Sequence, residues 1–194
     1  MKVNYTPDKV STLFNNYPEQ WWIAGGWAID LFLGKTTREH EDVDIAILTE
    51  DELKWRGHLK NWELWPGLGN NELENMPIVL TDELPPNREV LWCRPSAKSA
   101  WAFELLLNNT HDEEWLFKRD DRIRKPISQI GLVTESGIPY LKPEIVLLYK
   151  AKSDREKDSR DFKQVAPNLG QESRDWLISS LQLVHPGHSW LSQL

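Results

Sequence analysis

Within the fourteen residues WWIAGGWAIDLFLG, Trp21 to Gly34, the chain changes its hydrophobic period. Trp21 to Ala24 is a short apolar run that stops at a glycine pair, the pattern of a buried strand. Beyond Gly25-Gly26, Trp27, Ala28, Leu31 and Phe32 recur at helical spacing, and Gly34 can close the helix. Strand, glycine turn and helix in so little chain exclude an all-helical or all-strand protein. The next apolar run, Asp42 to Leu48 (DVDIAIL), reads as a second strand.

The rest of the chain extends this alternation. An amphipathic helix is expected over 7–16, opened by Pro7, where a missing N–H costs nothing. A helix is expected over 51–61 and strands over 62–65, 90–93, 100–107, 114–117 and 131–134. The stretch from Gly67 to Asn87 reads as loop, interrupted by a short strand at Ile78 to Leu80. From Pro143 the reading is helical, PEIVLLYKAK running on through DREKDSRDFKQVA, with QESRDWLISSLQLV as the last helix. The expected fold is therefore α/β or α+β, a mixed sheet flanked by helices with a helical C-terminal third. Residues 1–140 form the core and 141–194 the helical segment packed on it, within one compact unit. The 194 residues suit one domain, and 40% apolar residues supply a sizeable core.

Composition narrows the function. A net charge of −7 argues against a nucleic-acid partner, because gripping phosphate backbones needs a basic face. Cys93 is the single cysteine, so neither an intrachain disulfide nor a cysteine-rich zinc site can form. The N-terminus lacks a signal-peptide apolar stretch and no run reaches membrane-span length, so a soluble cytoplasmic protein is expected. Eleven tryptophans are unusual. Either they fill the core, or some of Trp21, Trp22, Trp27, Trp55, Trp62, Trp65, Trp92 and Trp101 line a pocket for a flat base or a sugar ring.

Three features carry chemistry. In strand geometry Asp42 and Asp44 point to one side, about 7 Å apart along the chain, and Val43, Ile45 and Ile47 to the other. Such carboxylates repel unless a cation lies between them, and hard oxygen ligands suit Mg²⁺ shared with substrate phosphates. The plainer reading is a solvated strand start. Gly25 and Gly26 precede a helix whose free N–H groups favour a phosphate; a tight turn accounts for them equally well. Glu104 is the one charge in the apolar run WAFELLL, where it either faces water from an edge strand or is buried and needs a metal, an arginine or a raised pKa. Were it not the third acid, Asp82 and Asp112 would be next. His185-Pro186-Gly187-His188 reads as a turn, Cys93 as a core thiol, and the charges from Arg155 to Asp161 equally well as a salt-bridged helix face or as catalytic groups.

A glycine pair after a strand, an acidic D-x-D strand and a later strand carboxylate resemble the nucleotidyltransferase superfamily of DNA polymerase β type. GGWAIDLFLG followed by TTREHEDVDIAIL looks like the aminoglycoside adenylyltransferases that modify the 2''-hydroxyl, and more loosely like lincosamide nucleotidyltransferases. The likeness takes in YLKPE at 140–144 and the charged helix through Phe162, and so covers about residues 20–165. Two departures stand out: fifteen residues separate Gly26 from Asp42, and the third carboxylate is glutamate.

The resemblance implies that Asp42 and Asp44 hold one or two Mg²⁺ and that Glu104 completes a metal site or takes the proton of the attacking hydroxyl. It implies that Gly25 and Gly26 offer backbone N–H groups to the phosphates of ATP or another NTP, and that Arg38 or Lys150 neutralises triphosphate charge. The product would be a nucleotidylated small molecule, with an aminoglycoside-like, cationic acceptor the leading candidate. A protein or RNA acceptor, of the kind met in toxin–antitoxin pairs, and a non-catalytic nucleotide-binding module are the alternatives.

Overall fold

The computed structural model describes residues 5–69, 72–73, 76–84, 89–153 and 155–194. The chain opens with helix α1 (Pro7–Phe14), whose N-cap Thr6 accepts the Lys9 amide. Strand β1 (Trp21–Ile23), helix α2 (Gly25–Leu33), strand β2 (Asp44–Leu48) and helix α3 (Glu52–His58) follow. Then come β3 (Glu63–Gly69), β4 (Glu72–Leu73), β5 (Val90–Arg94) and β6 (Phe103–Asn108). Short strands β7 (Thr110–His111), β8 (Glu114–Leu116), β9 (Arg124–Pro126), β10 (Gly131–Val133) and β11 (Pro139–Leu141) lead to helices α4 (Pro143–Lys150), α5 (Glu156–Val165) and α6 (Gln171–Val184).

Eight strands make one mixed sheet, in the order β10-β11-β1-β2-β6-β5-β3-β4, and β7-β8-β9 form a small antiparallel sheet. Within the large sheet, β2 runs parallel to β6 and antiparallel to β1. Because β2 lies inside the sheet, both of its faces are covered: Ile45, Ala46, Ile47 and Leu48 are all buried. Against one face, Phe14 of α1 packs edge-on to Phe103 at 5.5 Å and tilted on Trp55 of α3 at 4.7 Å. Helix α4 packs against α2 and α6. Among the described residues, no helix is long and apolar enough to cross a membrane.

Several boundaries differ from the sequence reading. The glycine pair is not a turn before a helix; Gly25 and Gly26 are the helix's own first residues, after Ala24 as N-cap. Strand β2 starts at Asp44, which leaves Asp42 on the approach to it. Strand β3 runs on to Gly69 and pairs with β4 inside the expected loop, while Ile78 makes a single bridge to Leu64. The Pro85-Pro86 part of that loop lies outside the described residues. Strand β6 begins at Phe103 rather than Ala100. The expected helix from Pro143 onward is two, α4 and α5, broken after Lys150, whose ammonium reaches back to acids on α5. β11, which pairs with β1, was not visible as a strand in a three-residue stretch containing proline.

Candidate active site at the start of β2

Asp44 is held from both sides by backbone. Its carbonyl accepts the Ala24 amide at 2.8 Å, and the Val43 carbonyl before it accepts the Glu104 amide at 2.9 Å. The parallel β2–β6 register sets Asp44 directly beside Glu104. Asp42 arrives from the preceding loop, so the strand alternation expected for the pair does not apply. Carboxylate oxygens of Asp42, Asp44 and Glu104 nonetheless come within 4.8 Å of one another. Among the described residues, none of the three has an ion-pair partner. Such a set fits a divalent cation: hard oxygen donors, convergent, with no protein cation neutralising them.

The charges are costly without one. Burial first, then the Asp42 carboxylate, pushes Asp44 up to about 7, while Lys150, Lys157 and Arg155 pull it back. Burial, then Asp44 and Asp42, pushes Glu104 up to about 8. In both, repulsion between the acids follows burial among the causes.

The glycines have a sterically defined purpose. Gly25 has φ +58, and a Cβ there would lie 1.9 Å from Oδ2 of Asp44; the carboxylate occupies the space a side chain would need. A Cβ on Gly26 would lie 2.1 Å from the Arg38 guanidinium and 2.7 Å from Nδ1 of His40. Both glycines thus let charged side chains fold over the N-terminus of α2.

The long Gly26–Asp42 spacer is pinned by a hook that sequence reading missed. Asp30, 4% exposed on α2, accepts the amide and hydroxyl of Thr37 at 3.1 and 2.6 Å, and pairs with Nε2 of His40 at 2.5 Å. His40 stacks on Trp27 with ring centroids 4.2 Å apart, and burial lowers its pKa. One acid inside IDLF, on an otherwise apolar helix, was the available signal.

Arg38 and Lys150 are both placed close by, each already bound to acid. Arg38 makes a two-point contact with Asp161 at 3.2 and 3.3 Å. Lys150 contacts Asp158 at 2.7 Å and Asp161 at 2.9 Å, and all three are buried. Arg155 also binds Asp158, and Lys157 reaches Glu41. The remaining candidates lie elsewhere. Asp82 accepts the Val79 amide, Asp112 sits exposed at the β7–β8 turn, Cys93 is buried, and Nδ1 of His188 accepts the Trp190 amide. A groove of about 840 Å³ between α1 and the residues preceding β6 is lined by Tyr5, Leu13, Pro95 and Trp101, and contains none of the three acids.

A family model described as aminoglycoside-2''-adenylyltransferase matches residues 8–62, the stretch that holds the glycines, Arg38, Asp42 and Asp44. A 2''-aminoglycoside nucleotidyltransferase of Escherichia coli is 34% identical over 84 residues, which is 43% of this chain and 43% of that protein. The match therefore spans less than half the length of such relatives. Among solved structures, that of ANT(2'')-Ia in complex with adenylyl-2''-tobramycin superposes with a TM-score of 0.59 at 15% identity, covering 91% of this chain and 95% of that one. The lincomycin-bound lincosamide antibiotic adenylyltransferase LnuA gives 0.57 at 17%, over 86% and 98%. The chain thus resembles aminoglycoside nucleotidyltransferases in sequence over less than half of its length, and shares the mixed α/β fold of the aminoglycoside and lincosamide enzymes across most of it.

Proposed function

We propose that this protein is a nucleotidyltransferase that moves a nucleoside monophosphate, AMP from ATP in the leading case, onto a hydroxyl of a small-molecule antibiotic. The convergence of Asp42, Asp44 and Glu104 within 4.8 Å, at the position where the resemblance calls for three acids, carries this reading. Asp42 and Asp44 would hold Mg²⁺, one or two ions, which when bound neutralise the carboxylates and polarise the phosphoryl oxygens.

The chain's own groups divide the remaining work. Glu104 accepts the proton of the acceptor hydroxyl; the hydroxyl oxygen bonds to the α-phosphorus as the bond to pyrophosphate breaks, and pyrophosphate carries off the electron pair. A carboxylate whose pKa stands near neutrality suits a general base. The N-terminus of α2 offers its free amides to the triphosphate, and Arg38, folded over Gly26, adds a cation at the same end. Lys150 stands behind Asp44 and offsets its charge from within the protein.

The purified protein, Mg²⁺ and labelled ATP, GTP, CTP or UTP, incubated with aminoglycosides and lincosamides, tests the reading. Label on a drug is expected. Label appearing only on protein, or nucleotide binding with no transfer to any acceptor, would overturn it.

A further inference from the structure

One row of the sheet extends the acids into tryptophan. The β5–β6 register places Trp92 directly opposite Glu104, and the β3–β5 register places Trp65 opposite Trp92. Residues paired across neighbouring strands project to one face with Cβ atoms about 4.5–5.5 Å apart. Asp44, Glu104, Trp92 and Trp65 therefore form a continuous half-buried row, and their chain neighbours Ile45, Leu105, Leu91 and Leu64 are buried on the other face. Trp101, just before β6, meets Trp92 edge-on at 5.6 Å and Trp65 at 6.2 Å. Arg94 lies 4.6 Å over Trp101 and 5.4 Å over Trp65, and is held by Glu63 at 2.7 Å. The indole N–H of Trp65 donates to Glu63; that of Trp92 has no partner among the described residues.

Position in the sheet says what this platform faces. The α2 N-terminus, Arg38 and Lys150 all lie on the β1 side of Asp44, whereas the tryptophans lie beyond Glu104, toward β3. In an in-line displacement the attacking hydroxyl and the departing pyrophosphate occupy opposite sides of the phosphorus. With the triphosphate on the basic side, the aromatic side is left to the acceptor.

From this we infer that Trp92, framed by Trp65 and Trp101, is the acceptor platform, and that it takes a neutral, hydroxyl-bearing saturated ring. The ring's C–H face lies on the indole, and one of its hydroxyls accepts the Trp92 N–H, which has no partner among the described residues. Arg94 already covers Trp65 and Trp101, so an ammonium group on the same platform would meet a fixed guanidinium at close range. The inference rests on the nucleotidyl-transfer reading and specifies its acceptor side.

Lincomycin, whose sugar ring is neutral, and polycationic tobramycin are the probes, with ATP and Mg²⁺. In Trp92→Ala the KM for lincomycin should rise about tenfold to a hundredfold, the range of an aromatic stack lost. The KM for ATP and the Mg²⁺ dependence should stay within about twofold of wild type, and Trp92→Phe should recover most of the loss. A rise in the ATP KM instead makes the platform a nucleobase site and overturns the inference. An unchanged lincomycin KM also overturns it, and so does an effect confined to tobramycin. If Trp92→Ala does not fold, Trp92→Leu, which keeps bulk without a π face, is read the same way. Should the wild-type protein transfer to neither drug, the transfer reading fails, and calorimetric titration of lincomycin alone then decides the platform: binding weakened in Trp92→Ala upholds it, and no binding to wild type overturns it.

Discussion

Two groups of charge lie close together beside α2, and they are built on opposite rules. Around Lys150, the acids Asp158 and Asp161 are almost wholly inaccessible, yet each is met by cations: Lys150 and Arg155 on the first, Lys150 and Arg38 on the second. Around Asp44, three carboxylates converge with no protein cation in contact among the described residues. The pKa directions follow: the Lys150 and Arg155 contacts outweigh burial and lower Asp158, whereas burial raises Asp44 and Glu104. A balanced set of charges is what a fold needs to fasten α5 to the sheet. An unbalanced set at a fixed register costs stability when ionised, and either protonation or a ligand that brings positive charge removes that cost.

Substitution should separate the two groups most sharply. Asp44→Asn is expected to eliminate detectable transfer and Glu104→Gln to lower kcat by about 10²–10⁴-fold, with neither reducing the melting temperature of the metal-free protein. Wild-type turnover in both variants would end the assignment of the acids. Asp158→Ala should do the reverse in origin, destabilising the fold by about 3–5 kcal/mol because a buried Lys150 loses a partner; urea melts measure it. A loss under about 1 kcal/mol would mean that Lys150 is not the buried member of a structural pair.

The pH dependence has a definite sign. Asp44 and Glu104 have folded-state pKa values of about 7 and about 8, above their ordinary carboxylate values. Their protonated forms are favoured in the folded state, so that contribution is complete below about pH 4 and is lost as pH rises through about 7 to 8. The metal-free protein should melt lower at pH 8 than at pH 5.5, by about 2–4 °C for each kcal/mol lost, and saturating Mg²⁺ should remove the difference. An equal melting temperature at both pH values without metal would contradict the charge imbalance. The smallest effect is expected at Arg160, whose i,i+4 pair with Glu156 is exposed: Arg160→Ala should change stability by about 0.5 kcal/mol or less and leave turnover unaltered.

The three converging acids stand out in the sequence through local signals. Asp42, Asp44, Gly25 and Gly26 fall within twenty residues, and Glu104 stands out as a charge in an apolar run. What made them a site was not local. Asp42 reaches the cluster from a loop, held there by Asp30, Thr37 and His40, whose meeting depends on how the spacer folds back on α2. Similarly, Trp65, Trp92 and Trp101 are unremarkable in sequence; only the strand order β2-β6-β5-β3 lines the first two up with Glu104. The break between α4 and α5 was hidden for a similar reason. Its residues are compatible with helix, and it is the bonding of Lys150 to Asp158 and Asp161 that requires the chain to turn.

The parallel pairing of β2 with β6 also governs time. Asp44 and Glu104 are separated by most of a third of the chain, and non-local parallel pairing is a slow event in folding, since a long loop must close before any contact rewards it. Until β6 docks, Asp42 and Asp44 are a pair of ordinary solvated acids with no third member. A docking error of one residue would present Leu105 or Phe103 beside Asp44 and turn Glu104 to the opposite face. If the three acids hold Mg²⁺ as proposed, that capacity arises only when β6 pairs in register with β2, and Mg²⁺ binding would tell a chain in the correct register from one that is not.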